Sequence, residues 1–109
     1  MKDNFLDGIN LDIELYCPPG SPLRAALLAL TKETRAALDA YHPGLQLTWD
    51  VPNMPNYYQH YYDYAGMAQY SDFFFIMDYD ETHWFGAYAN SPYPQTVLGV
   101  QQFEKIGNI

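Results

Sequence analysis

Two carboxylates and a carboxamide alternate with apolar side chains near the start of the chain. Asn10, Asp12 and Glu14 stand at every second position, and the residues between them are apolar. In a β-strand, side chains two residues apart point to the same face, so these three polar groups share one face. Burying them in an ordinary core is costly, which leaves a functional face or the solvated face of an edge strand. A glutamic acid in such a position can donate a proton, and Glu14 is the candidate for that role.

A second group of polar side chains follows the most apolar run of the chain. Met-Asp-Tyr-Asp at residues 77–80 comes soon after Phe-Phe-Phe-Ile at residues 73–76. At the end of a predicted strand, Tyr79 can donate or accept a hydrogen bond and Asp80 can accept one. Core packing explains Met77 and Tyr79 equally well when each is considered alone. Core packing and a polar site therefore both stay open for these residues.

The spacing of apolar residues predicts the elements that hold these groups. Residues 9–15 alternate as a strand does, and Cys-Pro-Pro-Gly at residues 17–20 predicts a loop. Ser21 as N-cap and Pro22 in the first turn predict the start of a helix, which Pro43-Gly44 ends. The apolar face of this helix is expected to be the stripe Leu23, Leu27, Leu30, Thr34, Ala37 and Tyr41.

The second half of the chain continues the alternation. Residues 45–51 predict a strand, a tyrosine-rich loop follows, and a short helix is expected at about residues 63–70. Residues 72–79 predict a third strand, and apolar side chains on both of its sides indicate burial on both faces, as in parallel sheets. Residues 80–94 are expected to form a loop and residues 96–106 a final helix.

The alternation of strands and helices predicts an α/β fold with a parallel sheet. The strands begin near residues 8, 45 and 72, and these intervals bracket the roughly 31 residues of one βα unit in an eight-fold barrel. We therefore predict a partial (β/α)8 TIM barrel, about three βα units from its middle. Glu14 would then stand at the C-terminal mouth of the barrel. A doubly wound sheet is the alternative, but it needs a phosphate-binding glycine loop where only Gly20 is present.

The two polar motifs together carry a family resemblance. Asp-Gly-Ile-Asn-Leu-Asp-Ile-Glu at residues 7–14 resembles the strand-four signature of glycoside hydrolase family 18, the chitinase-type barrels. Met-Asp-Tyr-Asp at residues 77–80 resembles the strand-six signature of the same family. The general pattern has aspartate at position 10, and Asn10 agrees instead with the chitobiase branch. The resemblance continues through residues 32–34, around Asp50 and through residues 90–97.

This resemblance implies substrate-assisted, retaining hydrolysis of β-1,4-linked N-acetylglucosamine oligosaccharides. Glu14 would protonate the leaving oxygen, and the substrate's own N-acetyl carbonyl would be the nucleophile. Asp12 would accept a hydrogen bond from the acetamido N–H, and Tyr79 would hold the acetamido oxygen. The implied substrate-binding residues are Asn10, Asp50, Met77, Asp80 and Trp84, the last stacking on a second sugar. The resemblance implies no metal and no cofactor.

Charge and composition limit the partners. A net charge of −8 repels nucleic acid and anionic lipid, and no apolar run is long enough to span a bilayer. Cys17 is the only cysteine, so an internal disulfide is excluded. His42, His60 and His83 lack the spacing of metal ligands. Burial is the favoured interpretation of the tyrosines at residues 57–64. The expected partner is the chitin-type oligosaccharide that the resemblance implies.

The two motifs would span only strands four to six of a barrel. Strands one to three, seven and eight would be absent, so we expect residues 1–109 to be a fragment of a catalytic domain that needs those strands for a complete fold. By itself the chain is expected to lack hydrolase activity and to aggregate through its open edges. The alternatives are a non-catalytic chitinase-like sugar-binding protein, against which Glu14 argues, and an inactive truncated fragment. The resemblance implies a lysosomal or extracellular location, although the first residues lead into no secretory signal.

Overall fold

A computed structural model of the chain describes residues 5–80 and 89–106. Strands and helices alternate along it, as the sequence predicts. In chain order the elements are β1 (Gly8–Leu11), α1 (Leu23–Tyr41), β2 (Gln46–Pro52), α2 (Pro55–Tyr58), α3 (Tyr64–Ala68), β3 (Phe73–Met77) and α4 (Tyr93–Ile106). None of the helices in these two ranges is both long and apolar enough to cross a membrane.

The three strands form one parallel sheet in the order β1-β2-β3. Asn10 pairs with Thr48, and Asp50 pairs with Phe75. Paired residues in a parallel sheet point to the same face, so Asn10, Thr48, Asp50 and Phe75 share one face. The expected α/β fragment with a parallel sheet is confirmed. We call this polar face the inner face, because it carries the acidic motif of β1.

The opposite face of the sheet forms the core with the helices. Trp49 and Val51 of β2 are fully buried there against Leu27 of α1, Met67 of α3 and Phe103 of α4. Burying side chains of this size stabilises the fold by about 1.5–3 kcal/mol each. The alternation along β2 therefore separates a hydrophobic layer from the inner face.

Helix α1 begins one residue later than expected. Pro22 occupies the N-cap position, and the Ser21 hydroxyl accepts a hydrogen bond of 3.2 Å from the Leu23 N–H. The prediction of Ser21 as N-cap with Pro22 in the first turn was thus wrong by one position. Gly44, with φ +92°, forms the turn after the helix, in a backbone region that side chains disfavour.

The buried stripe of α1 also differs from the prediction. Leu27, Thr31 and Leu38 are the buried residues of the helix, whereas Leu30 and Tyr41 are exposed. Thr31 tolerates burial because its hydroxyl donates to the Leu27 carbonyl over 2.7 Å. The stripe is therefore rotated from the predicted one, since a polar group satisfied inside the helix can enter the core.

Strand β3 is parallel as predicted, but burial on both faces was wrong. Phe74 and Ile76 pack against the core, whereas Phe73 and Phe75 are 55% and 53% exposed on the inner face. β3 is an edge strand that pairs with β2 alone among the described residues. No described element covers the inner face, and this leaves the two phenylalanines open to solvent.

Two element boundaries differ from the predictions in ways that affect the polar motifs. The first strand was expected to continue to residue 15, but β1 ends at Leu11, because β2 beyond Trp49 pairs only with β3. Asp12 and Glu14 thus lie past the last strand residue. The final helix begins at Tyr93 rather than at residue 96, because Pro94 in a first helical turn needs no N–H partner.

The tyrosine-rich segment contains a short helix that the sequence analysis treated as loop. Pro55 begins α2 after Met54, which has a left-handed φ of 59°. The next helix, α3, is capped by Asp63, whose carboxylate accepts from the Gly66 N–H over 3.4 Å. The short helix expected at about residues 63–70 is confirmed, with bounds Tyr64–Ala68.

Candidate active site

A cleft of about 750 Å³ lies where the C-terminal ends of the strands meet. Four predicted site residues line it: Glu14 beyond β1, Met77 at the end of β3, and Tyr79 and Asp80 just after it. The other lining residues are Pro52, Asn53, Met54, Asn56, Tyr57, Tyr58 and Gln102. A carboxyl group and a phenol from two different strands thus face one space large enough for a sugar-sized ligand.

Asn10 and Asp50 lie deeper on the inner face and do not line this cleft. The Asn10 side-chain amide donates to Oδ1 of Asp50 over 2.7 Å, which joins β1 to β2. An aspartate at position 10 would instead place two carboxylates against each other. The neutral amide therefore lets Asp50 remain on this face with a hydrogen-bond donor beside it.

Tyr79 stands among four carboxylates. Desolvation first, and then the charges of Asp50, Glu14, Asp12 and Asp80, raise the pKa of its phenol. A phenol with a raised pKa stays protonated at neutral pH and remains a hydrogen-bond donor. The same interactions place Asp12 in the electrostatic surroundings of the cleft, although Asp12 does not line it.

The segment that carries Asp12 and Glu14 is held from the tyrosine-rich region. The hydroxyl of Tyr62 donates to the Ile13 carbonyl over 2.9 Å. Tyr62 is buried, and desolvation followed by the charges of Glu14 and Asp12 raises its pKa to about 12. The expectation that these tyrosines pack in the interior fits Tyr61, Tyr62 and Tyr64. Tyr57 is different, since it lines the cleft and is 71% exposed.

The sequence analysis missed Asn53. This residue is 3% exposed, and its amide donates to Oδ1 of Asp78 over 2.8 Å and to the Gln95 carbonyl over 3.3 Å. Its own Oδ1 accepts from the Met54 N–H over 2.9 Å. Asn53 thus connects the end of β2 to the residue between Met77 and Tyr79. The available signal was a polar residue immediately after a strand that ends at the barrel mouth.

Helix α4 approaches Asn53 so closely that only glycine fits. A Cβ atom on Gly99 would lie 1.4 Å from Oδ1 of Asn53. The segment after β3 is held further by Asn90, whose Oδ1 accepts from the Asp80 N–H over 3.1 Å, and by the Ser91 hydroxyl, which donates to the Asp78 carbonyl. Three side chains from two parts of the chain, Asn53 after β2 and Asn90 with Ser91 before α4, therefore position residues 78–80.

The predictions for Trp84 and for metal binding concern features outside the cleft. Trp84 and His83 lie outside the described residues, so the expected stacking role of Trp84 stays a prediction. Within residues 5–80 and 89–106, no three side chains from His, Cys, Asp or Glu are grouped so that they could hold a metal ion.

The pattern of sequence matches identifies the family. The model of the family described as "Glycosyl hydrolases family 18" matches residues 1–102 of the chain. The chain belongs to glycosyl hydrolase family 18. This confirms the resemblance found in the motifs at residues 7–14 and 77–80.

Relatives with known names agree with this membership. The chain is 40% identical to di-N-acetylchitobiase of Mus musculus over 97% of its own length and 30% of that protein. It is 41% identical to the Homo sapiens protein of the same name over 96% of its own length and 29% of that protein. The chain therefore spans less than a third of the length of these curated relatives.

Two solved structures of one chitinase show the same fold. The Group IV chitinase of Ostrinia furnacalis superposes with a TM-score of 0.70 at 22% identity, over 97% of this chain and 33% of the chitinase chain. The structure of that chitinase with allosamidin superposes with a TM-score of 0.72 at 23% identity. The three βα units thus correspond to one third of a TIM-barrel chitinase.

Proposed function

We propose that residues 1–109 form part of a family 18 catalytic domain that hydrolyses β-1,4-linked N-acetylglucosamine oligosaccharides. The observation that carries this proposal is the shared cleft, which is lined by Glu14 beyond the end of β1, by Met77 at the end of β3 and by Tyr79 and Asp80 just after it. Glu14, Tyr79 and Asp80 supply an acid, a phenol and a carboxylate to one space, although Tyr79 and Asp80 follow Glu14 by 65 and 66 positions in the sequence. The names of the relatives, chitobiase and chitinase, support a chitin-type substrate.

Each residue has a role that its surroundings allow. Glu14 protonates the departing glycosidic oxygen while the substrate's acetamido oxygen attacks the anomeric carbon, which gives a cyclic oxazolinium intermediate. Asp12 accepts a hydrogen bond from the acetamido N–H and offsets the positive charge of this intermediate. Water then adds to the anomeric carbon and loses its proton to the Glu14 carboxylate, so the anomeric configuration is retained.

Tyr79 orients the acetamide in this scheme. Its pKa lies above the ordinary value of 10.0, so the hydroxyl is protonated at neutral pH and can donate to the acetamido oxygen. Met77 and Asp80 form the wall beneath the same sugar. For Asn10 and Asp50, which are paired with each other deeper on the inner face, we retain the proposal of substrate binding. For Trp84 we retain the proposal of stacking on a second sugar.

The isolated chain is not expected to perform this reaction. Phe73 and Phe75 are more than half exposed on the inner face, which in a closed barrel faces the remaining strands. The function proposed therefore belongs to these residues in a complete barrel. The family resemblance further leads us to propose a lysosomal or extracellular location for that protein.

A chimera tests the proposal. In a chimeric enzyme, which we call the mouse chimera, residues 1–109 replace the matched segment of mouse di-N-acetylchitobiase. Hydrolysis of a fluorogenic N-acetylglucosaminide is measured on this enzyme. Glu14→Gln should lower turnover by about 10²- to 10⁴-fold, because it removes general-acid catalysis. Glu33→Gln, an exposed position on α1, is the matched control and should leave turnover unchanged. Equal rates for the two variants would refute the assignment of Glu14.

A further inference from the structure

The carboxyl group of Glu14 lies past the part of the chain that the sheet holds in place. β1 pairs with β2 only through Leu11, so the ladder ends three residues before Glu14. An acid catalyst must be held close to its productive position, since a displacement of about 1 Å can cost about 10²-fold in rate. The contacts of residues 12–14 therefore bear directly on the chemistry.

Ile13 is held from two sides. Its side chain packs against the buried core cluster, and its carbonyl accepts the hydrogen bond from Tyr62 over 2.9 Å. Tyr62 itself is fixed, because it is 4% exposed and its ring lies 5.5 Å from that of Tyr64 between centroids. A buried hydrogen-bond donor thus holds the peptide bond that joins Ile13 to Glu14.

We propose that Tyr62 is a positioning residue for the general acid: its hydroxyl fixes the Ile13 carbonyl and so sets the direction of Asp12 and Glu14. This proposal rests on the function proposed above. The contact joins residues 49 positions apart, so it also couples the acid to the segment that contributes Tyr57 and Tyr58 to the cleft.

The chemistry of the phenol fits a permanent donor. Burial, and then the charges of Glu14 and Asp12, raise the pKa of Tyr62 to about 12. The hydroxyl therefore keeps its proton throughout the neutral and mildly alkaline range. Its only role toward a backbone carbonyl is to donate, since the carbonyl has no proton to give.

A positioning role and a purely structural role predict different kinetics. If the hydroxyl only stabilises the fold, its loss lowers the fraction of folded enzyme and leaves turnover per folded molecule unchanged. If it positions Glu14, turnover per folded molecule falls while KM changes little, because an interaction needed in the transition state is lost. The folded fraction is obtained from thermal unfolding followed by circular dichroism.

The experiment compares Tyr62→Phe with Tyr64→Phe in the mouse chimera. Tyr64 is 3% exposed, and its hydroxyl has no hydrogen-bond partner among the described residues, so it is a matched control. Tyr62→Phe should lower kcat per folded molecule by about tenfold or more with KM within about twofold. Tyr64→Phe should leave both parameters within about twofold.

Two replacements of Tyr62 that match its size allow the test to be made even if Tyr62→Phe does not fold. Replacement of Tyr62 by 4-fluorophenylalanine fills the same space without a donor, and replacement by 4-aminophenylalanine restores an N–H donor. The amino variant should recover most of the lost kcat and the fluoro variant should not. Equal kcat for these two variants, or an unchanged kcat in Tyr62→Phe, would overturn the proposal. An inactive chimera with Tyr62 intact would instead overturn the proposed function, and this inference with it.

Discussion

The side-chain amide of Asn53 donates a hydrogen bond of 2.8 Å to Oδ1 of Asp78. This contact joins the end of β2 to the motif that follows β3, across 25 positions of sequence. Asp78 itself does not line the cleft, but its neighbours Met77 and Tyr79 do. Asn53 therefore positions cleft residues through a partner that does not itself line the cleft.

The surroundings of Asn53 and Asn10 predict that replacing each by alanine lowers the free energy of unfolding by different amounts. Both amides donate to an aspartate, over 2.8 Å and 2.7 Å, but Asn53 is buried and Asn10 is exposed. Asn53→Ala leaves buried polar groups without partners and should lower the free energy of unfolding by about 1–3 kcal/mol, against about 0.5–1.5 kcal/mol for Asn10→Ala. Chemical denaturation of residues 1–109 alone, in which the inner face is open, measures both. A larger loss for Asn10→Ala would contradict this ranking.

The contact between Asn53 and Asp78 also predicts a pH-dependent variant. Asn53→Asp sets two carboxylates face to face, within the 2.8 Å that now separates amide nitrogen and oxygen. Their repulsion should lower the melting temperature at about pH 7.5, and the deficit should shrink at about pH 5, where one proton can bridge the pair. Thermal unfolding at the two pH values is the measurement.

The exchanged pair Asn53→Asp/Asp78→Asn is the control for this variant. It restores one donor and one acceptor, so its melting temperature at about pH 7.5 should exceed that of Asn53→Asp alone. Additive losses from the two substitutions would show that the two side chains do not interact.

Tyr62 predicts a specific loss of stability in alkali. Its pKa is raised from 10.0 to about 12 by burial and then by Glu14 and Asp12, so the folded chain keeps a proton that the unfolded chain releases. The contribution of Tyr62 is complete below pH 10, and the free energy of unfolding should fall as pH rises from about 10 to about 12. Chemical denaturation of the mouse chimera at several pH values measures this slope.

Tyr62→Phe should make the free energy of unfolding fall less steeply between about pH 10 and about pH 12. The slope should not vanish, because burial also raises the pKa of Tyr64. Tyr57→Phe, at an exposed tyrosine of the same segment, should leave it unchanged. Equal slopes for the two variants would argue against a buried, protonated phenol at position 62.

The inner face predicts how the isolated chain behaves in solution. Phe73 and Phe75 are exposed beside the free edge of β3, and such a surface favours association. The double substitution Phe73→Ser/Phe75→Ser should shift the isolated chain toward the monomer in size-exclusion chromatography with light scattering. Phe74→Ser, on the core side of the same strand, should not, because it damages the core. A wholly monomeric parent chain would contradict the prediction.

Local patterns in the sequence were sufficient to predict the three strands, the helices α1, α3 and α4 and the two motifs, but not the short helix α2. Alternation at residues 9–14 places Asn10, Asp12 and Glu14 on one face, and the apolar run at residues 73–76 identifies the strand before Tyr79. These properties depend on neighbours one to four residues apart, which is the range over which strand and helix periodicity acts. The family and the parallel α/β fold followed from the same local evidence.

The contacts that position the cleft required the tertiary structure. The hydrogen bond from Tyr62 to Ile13, the contact of Asn53 with Asp78 and the close approach of Gly99 each join distant parts of the chain. No periodicity encodes such contacts, because they arise from how helices and loops pack onto the sheet. The same holds for the end of β1 at Leu11, which is set by the partner strand. The sequence by itself therefore determined which residues are candidates for the chemistry, and the packing of distant segments decided what holds them in place.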